Sequence, residues 1–328
     1  MNEICIAGGQ IVLDHIALLE EPFKQNSVFL QENFHQDITR SYLGGCTCNI
    51  AAVMYRLGFD VHLSCLTGNW QKDADVDRLL RSRIPSLGRL VVHSQKEMCH
   101  CYQIYDSNQD KFSVMTEILE PETEDPFCIN DGKSPLICLA LPENNLQTAS
   151  LIRLVRRTKA CGCPVALSMI SSPGHYPEEL ISSADYIFLN TFERDLLCKQ
   201  YGKHTQAISF LLELGVRAVF MTMGKSGSRI FEKNTPDGVW VPAAKPKQVC
   251  DTTGAGDGYA AGTMAGILKG YSYAAAACIG SVVSSYIVEQ PGAQENCPTW
   301  EMVQTRRKEQ FSNLGENYGE NYGENYGM

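Results

Sequence analysis

The chain has 328 residues, 44% of them hydrophobic and 20% charged, with a formal net charge of −9 and a pI near 5.3. That length carries one large α/β domain or two smaller ones with a sizeable core, and the acidic balance argues against nucleic acid or an anionic membrane as partner. No apolar run approaches the roughly 20 residues that cross a bilayer, and the short Ile-Cys-Ile-Ala run from Ile4 lacks the basic flank of a signal peptide, so a cytoplasmic location is expected.

Short apolar, β-branched runs alternate with longer helical patterns. Strands are predicted at 4–8, 61–67, 136–141, 165–170, 186–189 and 219–223. Helices are predicted between them at 46–57, 73–84, 148–160, 192–201 and 204–214, and two more follow at 256–270 and 273–288. This alternation predicts a largely parallel sheet covered on both faces. Two stretches break it. Residues 11–19 with 27–39, and 98–115 with a hairpin turn at 106–110, read as strands of a small separate sheet. From 315 the chain repeats Gly-Glu-Asn-Tyr, a low-complexity composition that cannot build a core, so residues 1–314 are expected to form the domain and 315–328 a disordered tail.

Fourteen cysteines include three Cys-x-Cys pairs, Cys46/Cys48, Cys99/Cys101 and Cys161/Cys163. Structural zinc sites space their ligands two to four residues apart, so the expectation is reduced thiols, several of them acting as small hydrophobes in apolar runs.

The most informative stretch is Asp251-Thr-Thr-Gly-Ala-Gly-Asp257, which runs straight into an apolar helix. Backbone N–H groups at a helix start lack intrahelical partners and sit at the positive end of the dipole, which makes them an anion site. Gly254, Ala255 and Gly256 let phosphate oxygens approach that backbone, and Asp257 on the first turn can take a proton from an attacking hydroxyl. A Gly-rich turn capped by Asp is also a common structural helix start.

The loop resembles the closing motif of the ribokinase-like carbohydrate kinase family (the PfkB group), and further segments resemble that family in the same order. Gly44-Gly45-Cys-Thr-Cys-Asn49 is similar to its N-terminal signature. The resemblance implies glycines Gly44 and Gly45 that make room for substrate, with Asn49 and Asp14 binding its hydroxyls. Asn190-Thr-Phe-Glu193 resembles the motif that helps hold magnesium and triphosphate, Glu193 acting largely through water. Asn190 as cap and Glu193 three residues on also form a good capping box, and the two readings are compatible. Thr222-Met-Gly224-Lys-Ser-Gly227 resembles the nucleotide loop, with Thr253 as a further nucleotide-binding position. It is no P-loop, because Val219 stands where that motif needs glycine, and no GxGxxG fingerprint follows any predicted strand. Asp251, Thr253 and Gly292 match the family's monovalent-cation loop, with Asn296 where some members carry serine.

What the resemblance implies is a three-layer α/β/α fold with a largely parallel central sheet and a small β-sheet lid drawn from about 11–39 and 98–115. It also implies transfer of the γ-phosphoryl group of ATP to a sugar or nucleoside hydroxyl, with Mg2+ and a potassium site. Asp257 would be the general base, Gly254, Ala255 and Gly256 the anion hole, and a homodimer through the lid is a further implication. The likeness thins at Gly68-Asn-Trp-Gln-Lys-Asp73, where many members have a Gly-Asp-Asp turn, and at Leu141, where some sugar kinases place a glutamate. Phe34, Tyr42, Tyr102 or Tyr105 could wall a nucleoside base, whereas a sugar phosphate would want more basic residues than Arg40. A non-catalytic sugar- or nucleotide-binding member acting as a sensor is the alternative.

Overall fold

The structure, a computed structural model, describes residues 3–23, 40–72, 74–84, 90–92, 95–108, 111–127, 137–140, 145–168, 176–202 and 207–312. The predicted strand at 27–39, residue Phe34, Leu141, the far side of the 106–110 turn and the 315–328 tail lie outside them.

A nine-stranded sheet forms the centre. Its parallel part is built from β1 (Glu3–Gln10), β4 (Asp60–Thr67), β5 (Val91–Val92), β8 (Ile137–Ala140), β9 (Val165–Ser168), β10 (Tyr186–Asn190) and β11 (Ala218–Thr222). β12 (Ser228–Glu232) and β13 (Thr235–Val241) extend one edge antiparallel, giving the order β13-β12-β11-β10-β9-β8-β1-β4-β5. Successive strand residues serve opposite faces. Ile4 and Ile6 of β1, Tyr186 and Phe188 of β10, and Ala218 and Phe220 of β11 pack under α1 (Cys46–Arg56), α2 (Ala74–Arg83), α7 (Ala255–Leu268), α8 (Tyr273–Ile287) and α9 (Trp300–Phe311). Their neighbours Cys5 and Ala7, Ile187 and Leu189, and Val219 and Met221 pack on the other side under α3 (Asn145–Ala160), α4 (Glu178–Ser182), α5 (Thr191–Tyr201) and α6 (Ala207–Glu213). The fold is the expected three-layer α/β/α sandwich of ribokinase type. No helix among the described residues is long and apolar enough to cross a membrane.

A second, four-stranded sheet in the order β3-β2-β6-β7 joins β2 (Val12–Leu18), β3 (Ser41–Gly44), β6 (Cys99–Tyr105) and β7 (Lys111–Met115). β2 pairs parallel with β6 and antiparallel with β3, and β6 pairs antiparallel with β7. This is the small sheet expected from 11–19 and 98–115. The chain passes into it from β1 through Gly8 and Gly9, both with positive φ, which form an irregularity inside the strand rather than a turn that ends it.

The short strands β3 and β5, the β12–β13 hairpin, α4 and α9 were not legible. The β12–β13 hairpin carries Pro236 and Gly238, which read as loop residues but are tolerated on an edge strand. α4 is a five-residue helix. α9 buries Arg306 and Arg307 beside Val303 and Phe311, so its inward face lacks an apolar stripe.

Candidate active site

The segment from Asp251 enters α7 through Gly254, whose left-handed φ of 75° starts the helix without any side-chain cap. A Cβ at Gly254 would lie 2.3 Å from that of Ala293, so both conformation and packing demand glycine here. No side chain caps the start of α7; the Ala255 amide turns back to the Thr252 carbonyl at 3.2 Å, and amides at a helix start are donors of the kind an anion can use. Asp257 is the one acidic residue of that turn. Its Oδ2 accepts a hydrogen bond of 2.8 Å from Asn49 Nδ2, and Asn49 Oδ1 accepts one of 2.9 Å from Gln294 Nε2. Asn49 and Gln294 are both buried, so the carboxylate is held in place from behind. Asn49, expected to bind acceptor hydroxyls, thus spends one N–H on Asp257 while still lining the cavity in front of it.

Asp14 reaches the same cavity from β2, and only 4% of it is exposed. Its Oδ1 accepts from Gln103 Nε2 at 2.9 Å. A Cβ on Gly44 would stand 2.0 Å from Asp14 Oδ2, and one on Gly45 would stand 2.1 Å from the Gln10 carbonyl oxygen. The paired glycines therefore make room for the Asp14 carboxylate and the neighbouring backbone. Asp251 accepts from the amide and hydroxyl of Thr253 at 2.9 and 2.8 Å through Oδ1, and from the Gly292 amide at 2.9 Å through Oδ2. The three residues matched to a cation loop are thus joined through the Asp251 carboxylate, and carboxylate and hydroxyl oxygens are the donor type a hard cation requires. Asn296 instead directs its amide to the Tyr286 carbonyl and Glu289.

On the far side of Asp257, Asn190 and Glu193 form a complete capping box at the start of α5. Glu193 is buried and accepts from the Asn190 amide at 2.7 Å. Among the described residues no group of three or more His, Cys, Asp or Glu side chains gathers around a metal position. A single carboxylate of this kind fits magnesium that keeps its waters and binds phosphate oxygens, and does not fit an all-protein cage. Thr222 ends β11, and Gly224 and Gly227 bracket the tight turn that follows it.

These groups line three cavities of about 310, 230 and 560 Å3. The first lies under the lid, the second between Asp257 and Glu193, and the third between the turn at Gly224 and residues Val249 and Val288. The first two share Cys46, Gly254 and Asp257, and the last two share Thr222, Gly256 and Tyr259. One cleft thus runs past the start of α7. Behind it the Tyr259 phenol is buried against Ser228 at 2.8 Å, and burial pushes its pKa up. The Cys48 thiol is pushed up to about 12 by burial, which keeps it protonated and unreactive.

The sequence reading missed Gln103 and Gln294. Gln103 follows the inward alternation of Cys101 and Tyr105 along β6, a signal that was available. Gln294 sits in a loop, and only the tertiary structure brings it to Asn49.

A model of the pfkB family of carbohydrate kinases matches residues 5–300. The chain belongs to that family. As a pfkB-family kinase it is a phosphotransferase with an alcohol group as acceptor. Among curated relatives, the nucleoside kinase of Methanocaldococcus jannaschii is 26% identical over 315 residues, covering 91% of this chain and 94% of its own. The 2-dehydro-3-deoxygluconokinase of Bacillus subtilis is 26% identical over 279 residues, covering 79% and 84%. Among solved structures, the nucleoside kinase of Burkholderia thailandensis in complex with inosine superposes with a TM-score of 0.75 at 22% identity, covering 94% of this chain and 97% of that one.

Proposed function

We propose that this pfkB-family kinase transfers the γ-phosphoryl group of ATP to a hydroxyl of a neutral nucleoside or free sugar, with Asp257 as general base. The observation that carries this reading is the convergence of the cavities on Gly254–Asp257, with Asp257 lining both the first and the second. The acceptor would lie in the first cavity with its hydroxyls on Asp14 and Asn49. Asp257, held by Asn49, would accept the proton of the attacking hydroxyl. The amides after Gly254, with Ala255 and Gly256, would stabilise charge on the transferring group. The triphosphate would run past Asn190, Glu193 and Thr253 to Thr222, Gly224 and Gly227. Magnesium would neutralise phosphate charge when bound, held by Glu193 through water, and Asp251, Thr253 and Gly292 would hold potassium.

Charge narrows the acceptor. Two carboxylates, Asp14 and Asp257, line the first cavity and no Lys or Arg does, among the described residues. Arg40 is exposed and its guanidinium lies 4.9 Å from the Tyr42 ring centre, so it is not committed to the cavity. An acceptor that carries its own phosphate or carboxylate would meet these two like charges with no lining cation to offset them, which disfavours sugar phosphates and sugar acids. Val12, Cys101 and Met115 give the cavity an apolar wall suited to a nucleobase, and this favours a nucleoside over a free sugar. The names of the archaeal and Burkholderia relatives point the same way. The exposed outer residues of the lid, Tyr102, Phe112 and Val114, would supply the contact of a homodimer.

ADP release with Mg-ATP across nucleosides, free sugars and sugar phosphates tests the reading, with Asp257→Asn as control. Turnover on a neutral acceptor that vanishes in the variant is expected. Preferred turnover on a sugar phosphate refutes the charge argument. Nucleotide binding without turnover on any acceptor favours the binding-only alternative.

A further inference from the structure

The two halves of the cleft are joined by one buried amide. Gln103 is 5% exposed on the inward face of β6. Its Nε2 donates to Asp14 Oδ1 at 2.9 Å, and its Oε1 lies 3.1 Å from the Thr253 hydroxyl. The orientation is fixed by chemistry, because an ionised carboxylate only accepts and the NH2 end must face Asp14. Oε1 can then only accept from Thr253. The Thr253 hydroxyl has one proton and two acceptors in reach, Gln103 Oε1 and Asp251 Oδ1 at 2.8 Å. The Tyr105 hydroxyl, 3.2 Å away, can donate to the same oxygen. Thr253 directly precedes the Gly254 helix start, and Asp251 holds the Gly292 amide. With the Thr253 hydroxyl proton on Gln103, the Thr253 backbone amide still holds Asp251 at 2.9 Å, so a buried chain of hydrogen bonds runs from the carboxylate assigned to the acceptor to the loop assigned to the phosphoryl group.

We infer that Gln103 is a positioning residue that couples the two sites, so that acceptor bound at Asp14 and nucleotide bound at the anion loop strengthen one another through it. The inference rests on the acceptor and phosphoryl assignments made above. Hydrogen bonds in series polarise one another, and this chain runs head to tail from the Tyr105 hydroxyl through Thr253 and Gln103 to the Asp14 carboxylate. Such coupling is reciprocal: whatever factor the acceptor adds to nucleotide affinity, the nucleotide adds to acceptor affinity. The groups facing Gln103 are Asp14 on β2, Asp251 and Asp257 around the anion loop, Tyr105 and Cys101 on its own strand, and Cys46 across the cavity. His15 and His100 alternate with the inward residues and lie on the other face of the lid.

The test is calorimetric binding of the non-hydrolysable analogue AMP-PNP with Mg2+, with and without saturating inosine or ribose, from pH 5.5 to 8.5. In the wild type one of the two acceptors should tighten analogue binding by about five-fold or more. Gln103→Met, close in volume but unable to hydrogen-bond at either end, should lose the tightening while still binding the analogue. Gln103→Glu should lack it at pH 8.5, where two carboxylates confront each other. It should regain it towards pH 5.5, where a protonated Glu can donate to Asp14 and still accept from Thr253. A merely structural role would not produce that pH-dependent rescue. Retained tightening in Gln103→Met, a pH-independent Gln103→Glu, or a wild type in which neither compound alters analogue binding would each overturn the inference. Asp257→Asn keeps the two readings apart, since it should abolish turnover yet preserve the tightening. Full turnover in that variant would sink the base assignment and leave the coupling result standing.

Discussion

Gly44→Ala is the sharpest single test of the acceptor side. The added Cβ would sit 2.0 Å from Asp14 Oδ2 and 2.7 Å from its carboxyl carbon. To regain ordinary contact at about 3.4 Å, the carboxylate must retreat by roughly 1.4 Å, yet Gln103 holds its other oxygen at 2.9 Å. Retreat breaks that charge-assisted bond, worth about 1.5–3 kcal/mol, and carries the acceptor with it. Misplacement of that size costs on the order of 100-fold in turnover for a substrate held against its base. Steady-state kinetics with Mg-ATP and the best neutral acceptor should show acceptor kcat/KM falling by about 100-fold, while nucleotide binding measured without acceptor stays within about two-fold of wild type. Circular dichroism guards against misfolding. An unchanged acceptor kcat/KM in a folded variant would show that Asp14 does not grip the acceptor.

Asn49→Asp places a second carboxylate against Asp257, where Asn49 now donates at 2.8 Å. A like charge disfavours the ionised base and raises its pKa, so the acid limb of the kcat/KM profile should move to higher pH; an unmoved limb would count against Asp257 as base. Arg306→Met strips the buried Glu289 of its partner at 2.7 Å, and should destabilise the domain by about 3–5 kcal/mol in denaturant unfolding, without altering acceptor selectivity. Replacing sodium by potassium should raise activity in the wild type and not in Asp251→Asn; identical rates in both buffers would remove the cation site. Burial lifts the thiols of Cys48, Cys278 and Cys297 and the phenols of Tyr176 and Tyr201 to about 12. These groups favour the folded state while neutral, so their contribution is complete below pH 9 and is lost as pH rises towards 12. Melting temperature should fall steadily over that window.

How much was readable in the chain depended on the range of the interactions. Strands such as 186–189 and 219–223 announced themselves because both faces are buried, which leaves an unbroken apolar run. The glycine turn that opens α7 was readable because its glycines and Asp257 all lie within seven residues. The capping box of Asn190 and Glu193 was equally local. What connects these parts was not readable. Gln294 reaches Asn49 across 245 positions, and Gln103 reaches Thr253 across 150, with nothing at either end to mark the meeting. The glycine pair at Gly44 and Gly45 was visible, but that its space is filled by Asp14 and the Gln10 carbonyl emerged only from three dimensions.

The passage from β1 into β2 has a mechanical consequence. The Gly8 carbonyl is held by Thr47 at 2.9 Å, the Ile11 amide by the Leu66 carbonyl at 2.9 Å, and the Gln10 side chain by the backbone of Glu117 and Leu119 at 3.0 and 2.6 Å. The small sheet is thus fixed at its root, with Asp14 just beyond, and fixed again at the far end of β6, where the Tyr105 hydroxyl meets Thr253 at 3.2 Å. A beam supported at both ends bends far less than one held at a single end, so the strands that carry Asp14 and Gln103 form a stiff bridge over the first cavity.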